Sequence, residues 1–399
     1  MTVCFISHTS GDGGAERVLL EAVEVLRERG IRCLVVFPNH GPLAESVRAR
    51  GVPCRVIPFR WWVGGDSFWK RIAKLPLHIF AALRLSLYLA RNPCDLIVTN
   101  TITPVVGSLA GLLMRLPHIW WIHEFAKEDK EDYGLDFDFG FRFSARFMGW
   151  TSDTVLVVSN AVQRKYARHI SDKKLRVLYP SVHLGFAELS MEPGQQSLQA
   201  AVFRVCAVGS IQPGKGQEDA VRAIGILRKR GTNATLLVLG SSGDGAYLER
   251  IRRIAAEWGV EQYIHFAGHV ANPLALILPC DVVAVCSRSE GFGRVTVEAM
   301  KLGEPVVGAD ARGTAELIRE GFNGFLYSPG DHTALAAKLE YLFEHPEVRQ
   351  SVGENARSWA WQQFTVERFS EDILRVFVAA AYPLKRHRNA SQAERRRGQ

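Results

Sequence analysis

Residues 287–300 read SRSEGFGRVTVEAM, with Glu290 beside the trio Gly291-Phe292-Gly293 and Glu298 following after seven residues. The stretch comes directly after the apolar run DVVAVCS (281–287), so it reads as a strand-to-helix turn with the helix starting near Arg294. Backbone N–H groups at such a helix start suit an anion, for example a diphosphate. Glycines let the backbone come close to it. A carboxylate does not bind phosphate but accepts hydrogen bonds from hydroxyls. Glu290 on the turn and Glu298 inside the helix could therefore each hold a sugar, one on either side of the diphosphate. That is the layout of a nucleotide-sugar: ribose, diphosphate, hexose. Taken singly, one glutamate reads as a solvated turn residue and the other as a helix-face residue. Their combination with Gly-Phe-Gly after a strand favours a site.

Two series of alternating strands and helices must position these residues, and 399 residues exceed what one hydrophobic core usually organises. Strand-like runs lie at 2–7, 31–37, 94–99, 118–122 and 154–158, with helical patterns between. In 15–29, Val18, Leu19, Ala22, Val25 and Leu26 form one apolar face, and Gly30 ends the helix. A second series runs through 203–209, 234–240, 263–268, 281–287 and 304–309. The class is α/β, with two Rossmann-like, doubly wound parallel-sheet lobes and a cleft faced by the strands' carboxyl ends. Expected boundaries are a first lobe over 1–186, a polar linker over 187–201 and a second lobe over 202–364. A helix at 365–382 is expected to return to the first lobe, and 383–399 to form a basic, disordered tail.

SEGFGRVTVEAM resembles the Glu-x7-Glu motif of the retaining glycosyltransferases of family 4 (glycosyltransferase group 1), which have the two-lobed GT-B fold. The resemblance covers nearly the whole chain. It implies that Glu290 contacts hydroxyls of the transferred sugar and that Glu298 binds the ribose. VGSIQPGKG (208–216) resembles the family's loop after the first strand of the second lobe, which implies that Lys215 pairs with the donor diphosphate. The family commonly has an Arg right after the first Gly of that loop; here the position is Ser210, and Arg288 or Arg294 would have to compensate. HTSGDGGAERV (8–18) resembles the glycine loop under the donor phosphate, with Gly13 and Gly14. It is not Gly-x-Gly-x-x-Gly and has no ribose-binding acid at the expected place, which weakens a dinucleotide-binding reading. WWIHEF (120–125) ends a strand with His123-Glu124, and the family often has a His here, near the transferred sugar. A lone His is more often structural, but the carboxyl end of a strand favours the site. GADARGTAELI (308–318) resembles the Gly-Gly-x-x-Glu turn, with Arg312 in place of the first Gly and with Gly313 and Glu316 kept.

The resemblance thus implies His123, Glu290 and Lys215 as catalytic. It implies a donor site of Gly13, Gly14, Ser210, Lys215, Gly291, Phe292, Gly293, Arg294 and Glu298. The donor would be UDP- or GDP-linked, with no cofactor or metal required. In the implied reaction the diphosphate leaves and the acceptor hydroxyl attacks the same face of the sugar. A paired-carboxylate hydrolase mechanism is not implied, because both glutamates hold hydroxyls. Asp136-Phe137-Asp138 matches the metal-binding Asp-x-Asp of another glycosyltransferase fold, but such short matches arise by chance and no hard-metal cluster accompanies it.

Composition is that of a globular protein, 47% apolar and 23% charged. The seven cysteines show no Cys-x-x-Cys pair and fit reduced, buried thiols of a cytosolic protein. MTVCFIS runs straight into a strand, without the pattern of a secretory signal. The apolar stretches 75–90 and 103–122 are each interrupted by Arg or His, so neither reads as a spanning helix. Residues 59–74 mix Trp61, Trp62, Phe68 and Trp69 with Arg60, Lys70, Arg71 and Lys74. That mixture suits an anionic lipid interface as well as a core helix with a solvated basic side. Residues 383–399 hold six Lys/Arg against one Glu, within a net charge of +8. The expected location is cytoplasmic, peripheral at the inner membrane face, with a glycan or lipid-linked glycan as acceptor. Two other readings are a nucleotide-sugar epimerase of the same fold and a non-catalytic, membrane-associated scaffold. A nucleic-acid partner has only the net charge behind it and is not expected.

Overall fold

The computed structural model describes residues 1–184, 202–243 and 245–382; the expected linker at 187–201 and basic tail at 383–399 lie outside the described residues. The chain divides into two compact units.

The first unit comprises Met1–Val158, Val162–Ser181 and the chain from Val366 onward. Its parallel sheet is built from β1 (Thr2–Ile6), β2 (Arg32–Phe37), β3 (Cys54–Val56), β4 (Leu96–Asn100), β5 (His118–Ile122), β6 (Thr154–Val157) and β7 (Leu175–Val177). The order is β3-β2-β1-β4-β5-β6-β7, so the winding reverses between β1 and β4. Every residue of β1, β4 and β5 is buried, as expected of parallel strands covered on both faces. The covering helices are α1 (Gly14–Glu28), α2 (Pro42–Ala49), α3 (Phe68–Arg91), α4 (Val106–Met114), α5 (Phe141–Thr151) and α6 (Asn160–Ala167). A last helix, here called α14 (Val366–Ala381), joins them from the far end of the chain. It buries Phe369 and Phe377 against Trp121, and Phe377 also against Phe5.

The second unit comprises Ser159–Ala161 and Val182–Thr365. Its parallel strands are β8 (Phe203–Val208), β9 (Ala234–Leu239), β10 (Ile264–Gly268), β11 (Val282–Val285), β12 (Val306–Ala309) and β13 (Phe325–Tyr327). The order β10-β9-β8-β11-β12-β13 places the reversal between β8 and β11. The helices are α7 (Gln217–Lys229), α8 (Gly245–Trp258), α9 (Leu274–Ile277), α10 (Arg294–Leu302), α11 (Arg312–Leu317), α12 (His332–Glu344) and α13 (Pro346–Gln363).

The middle stretch of the first unit ends at Ser181. Buried Lys301 of α10 donates to the carbonyl oxygens of Val182 (2.7 Å) and Phe364 (2.9 Å), which attaches Val182 to the second unit. Helix α3 differs from expectation. The 59–74 and 75–90 stretches merge into one helix from Phe68 to Arg91, with Pro76 inside it. By length and composition this helix suffices to cross a membrane. Its inner face is nonetheless part of the core, through His78, Ala81, Ala82, Leu85 and Leu89.

Candidate active site

In the second unit the switch point lies between β8 and β11, where α/β sheets place their ligands. The turn after β8 carries Lys215, and the turn after β11 carries Glu290. Backbone contacts hold the two turns together. The Arg288 N–H donates to the Gly214 carbonyl at 2.8 Å, and the Ser287 hydroxyl reaches the same oxygen at 3.4 Å. Gly216 has φ +63°, and a Cβ there would stand 2.3 Å from the Cys286 carbonyl oxygen, so only glycine allows this approach. The Lys215 ammonium thereby meets the Glu290 carboxylate at 2.5 Å, and the Ser287 hydroxyl donates to the same Glu290 oxygen at 3.0 Å.

Helix α10 begins directly after this turn, with Gly293 at φ +100°. Its first N–H groups have no partner within the helix and present a positive end. The buried Thr296 hydroxyl beside them has no hydrogen-bond partner. Glu298, 6% exposed, lies on the second turn and accepts from Arg294 Nε at 2.9 Å. The 308–318 segment closes the other side. The Gly313 N–H donates to the Glu290 carbonyl at 3.0 Å, and a Cβ at Gly313 would lie 2.6 Å from the Gly291 oxygen. Arg312 takes φ +50° and donates from Nη1 to Ser289 Oγ at 3.1 Å. A left-handed backbone at this position explains why glycine suits it.

In the first unit, the turns after β1 and β5 carry the titratable groups. Gly13 caps α1 in an extended conformation, and Gly14 opens the helix with open space where a Cβ would stand. His8 and Glu16 approach to 3.2 Å. The Glu124 carboxylate accepts from the N–H groups of Ile102 and His123, both at 3.3 Å. Burial pushes Glu124 up to about 8, although these two N–H groups pull the other way. Burial pushes His123 down to about 3, helped by repulsion from His8, and pushes His8 down to about 4. Both imidazoles are therefore neutral near pH 7, and the buried His123 Nε2 has no hydrogen-bond partner.

Two family models match: the one described as Glycosyltransferase Family 4 over residues 12–186, and the one described as Glycosyl transferases group 1 over residues 194–359. The chain belongs to glycosyltransferase family 4. Among curated relatives, the putative glycosyltransferase EpsD of Bacillus subtilis is 30% identical over 165 residues, covering 41% of this chain and 42% of that protein. The match thus spans about two fifths of that relative's length. The human alpha-1,3/1,6-mannosyltransferase ALG2 is 23% identical over 401 residues, covering 94% of this chain and 95% of that protein. Among solved structures, HepE of Anabaena in complex with UDP and glucose is 25% identical, with a TM-score of 0.76 over 95% of this chain and 100% of that one. The sucrose-phosphate synthase of Thermosynechococcus elongatus has a TM-score of 0.73 at 20% identity, covering 94% and 98%. The fold is GT-B, with two Rossmann-like lobes.

Within this family-4 frame, the structure gathers Lys215, Glu290, Gly291, Gly293, Arg294 and Glu298 at one switch point. The Phe292 side chain is buried against Phe364, with ring centroids 5.4 Å apart, so only its backbone is available to a donor. Arg288 is not a spare cation, because it pairs with Glu218 (3.3 Å) and Asp219 (3.1 Å). Arg294 is likewise engaged by Glu298. Ser210 is exposed; its hydroxyl accepts from Gln212 and its carbonyl from Gln217. Sequence reasoning missed Ser287 and Thr296, although both lie inside the quoted motif. It also gave Glu124 no role; a carboxyl beside His123 at a strand end was the available signal. Asp138 of the Asp-x-Asp match is 1% exposed and bonds Lys74 at 2.8 Å, a structural pairing that fastens α3. Among the described residues no group of three or more His, Cys, Asp or Glu could hold a metal ion.

Proposed function

We propose that this protein is a retaining glycosyltransferase that moves a hexose from a uridine-diphosphate sugar to a hydroxyl of a glycan or lipid-linked acceptor. The observation that carries it is the Lys215–Glu290 pair at the head of α10, with Glu298 one turn along that helix. Cation, helix N-terminus and two carboxylates are what a nucleotide-sugar needs. The Lys215 ammonium and the positive end of α10 stabilise a leaving diphosphate, and the carboxylates order the hydroxyls on either side. The uridine choice draws on the HepE complex with UDP and glucose; guanosine is the runner-up base.

In this reading Lys215 leaves Glu290 in part for the diphosphate, where its charge offsets the negative charge that develops as the sugar–phosphate bond breaks. Glu290 then turns to the hydroxyls of the transferred sugar. The departing phosphate oxygen takes the acceptor's proton, so no carboxylate acts as acid or base. No metal is required, and the site of action is the cytoplasmic side of a membrane.

The test is a thermal-shift screen against UDP, GDP, ADP and their common sugar conjugates, repeated with Glu298→Ala and with EDTA. Stabilisation by uridine nucleotides, weakened in the variant and unaffected by EDTA, is expected. No shift with any nucleotide overturns the assignment of the second-unit site. Anomeric configuration of the product, read by NMR, tests retention, and an altered free nucleotide-sugar would instead identify an epimerase.

A further inference from the structure

The first unit exposes an apolar stripe that the donor chemistry does not use. On α3, Trp69 is 78% exposed, Phe80 60% and Leu87 60%, with Ile72 and Leu83 also exposed. At 100° per residue these five fall within an arc of about 80°, opposite the buried arc of His78, Ala81, Ala82, Leu85 and Leu89. The helix is therefore apolar on both sides, and only one side faces the sheet. A surface helix normally turns its polar face outward. Helix α4 packs on α3 and α5 packs on α4, and these add exposed Leu112, Leu113, Phe143 and Trp150.

Charge decides what covers this face. Helices α3, α4 and α5 contain no Asp or Glu. Lys70, Arg84, Arg91 and Arg146 are exposed and form no ion pair among the described residues. A second copy of the chain would set the same cationic patch against itself, since a two-fold contact is self-complementary. The basic 383–399 segment is repelled for the same reason. An anionic lipid surface offers both an apolar layer and the opposite charge.

Along one flank of α3 runs a groove of about 720 Å³, lined by His8, Asn39, Arg60, Trp61, Phe80 and Arg84, among others. His8 and Asn39 follow β1 and β2, so the groove opens at the carboxyl ends of those strands. Arg60 and Arg84 are exposed, carry no ion pair among the described residues and share the groove with Trp61, Leu77 and Phe80. Cations beside apolar side chains suit a phosphate attached to a hydrocarbon chain.

We infer that α3 seats the first unit in the plane of an anionic bilayer, and that the groove on its flank takes the phosphate head of a lipid-borne acceptor through Arg60 and Arg84. This specifies the acceptor of the transferase reading and rests on it for the word acceptor. Helix α3 does not span the bilayer, because its inner face completes the core around β1, β2 and β4.

The test uses the full chain in three arms. In flotation, the wild type rises with phosphatidylcholine vesicles containing phosphatidylglycerol and less with phosphatidylcholine alone. The variant Ile72→Glu/Leu83→Glu/Leu87→Glu loses vesicle affinity on the order of a hundredfold, while its thermal shift with UDP is unchanged. Second, dodecyl phosphate binds in calorimetry and inorganic phosphate at the same concentration does not; Arg60→Ala/Arg84→Ala abolishes the binding. Third, sedimentation shows a monomer. Failure of the wild type to float with anionic vesicles overturns the docking surface, as does a dimer that the triple glutamate variant dissociates. Binding of dodecyl phosphate that survives the double arginine variant overturns the groove assignment. An intact UDP shift in any of these cases leaves the transferase reading standing.

Discussion

The Lys215–Glu290 contact gives a prediction in which two neighbouring substitutions act in opposite directions. The ammonium and carboxylate are 2.5 Å apart, with side chains 23% and 21% exposed, and Ser287 supports the carboxylate. Unit charges about 4 Å apart attract by about 4 kcal/mol at an effective dielectric constant of 20. Desolvation and screening reduce the net value to about 1 kcal/mol for such a partly exposed pair. A diphosphate must compete with Glu290 for Lys215. Lys215→Ala removes a charge-assisted contact worth about 1.5–3 kcal/mol, so UDP affinity falls about 10- to 100-fold. Glu290→Gln frees Lys215 from its competitor, so UDP affinity is unchanged or rises up to about fivefold, a gain equal to the ~1 kcal/mol pair. Turnover of the sugar donor falls in both variants. Calorimetry with UDP and a product-release assay read the two quantities separately. Equal loss of UDP affinity in Glu290→Gln and Lys215→Ala would refute the competition, and an unchanged affinity in Lys215→Ala would remove the lysine from the phosphate site.

Three further outcomes follow from the same geometry. Gly313→Ala must displace the Gly291 and Glu290 carbonyls, so it costs about 1–3 kcal/mol in denaturant unfolding and lowers sugar turnover; an unchanged rate would detach the 308–318 segment from the site. Lys301→Met leaves the Val182 and Phe364 carbonyls without their ammonium and unstacks it from the Trp361 ring, for a loss of about 2–4 kcal/mol in chemical unfolding. Glu124 has a folded-state pKa near 8, above its unfolded value, so the folded chain binds the extra proton between about pH 4.5 and 8 and this group's contribution falls across that window as pH rises. Glu124→Gln should flatten that part of the thermal-stability profile, and a profile as steep as wild type would remove burial of this carboxyl as its cause.

The turns at the two switch points were legible because their signal is local. Glycines and polar residues directly after apolar runs mark strand ends, and Glu290, Lys215 and His123 lie in such places. What escaped depends on partners distant in sequence. Nothing in EGFGR shows that Phe292 packs on Phe364, or that Arg288 is taken by Glu218 and Asp219. Trp61 and Trp62 are neighbours of one type, yet Trp62 stacks on Trp120 and is 3% exposed while Trp61 is 44% exposed. The extent of α3 was hidden because Pro76 reads as a breaker, whereas Lys74 bonding to Asp66 and Asp138 fastens the helix just before it. The short strands β3, β7 and β13 have only three residues each, too few for a periodicity to show.

The return of α14 to the first unit has a consequence for synthesis on the ribosome. The second unit is almost continuous in sequence, from Val182 to Thr365, and can condense as soon as that stretch has emerged. The first unit begins earlier and finishes later. Until the chain beyond Val366 is made, the surface of Phe5 and Trp121 that receives Phe369 and Phe377 stays open to water or to other nascent chains. The part translated first is thus the last to be completed, and its waiting time is set by the translation of some two hundred intervening codons. Slowing elongation across the second unit lengthens the exposure of that aromatic surface, whereas a release of α14 in the finished protein reopens it without disturbing the sheet of the second unit.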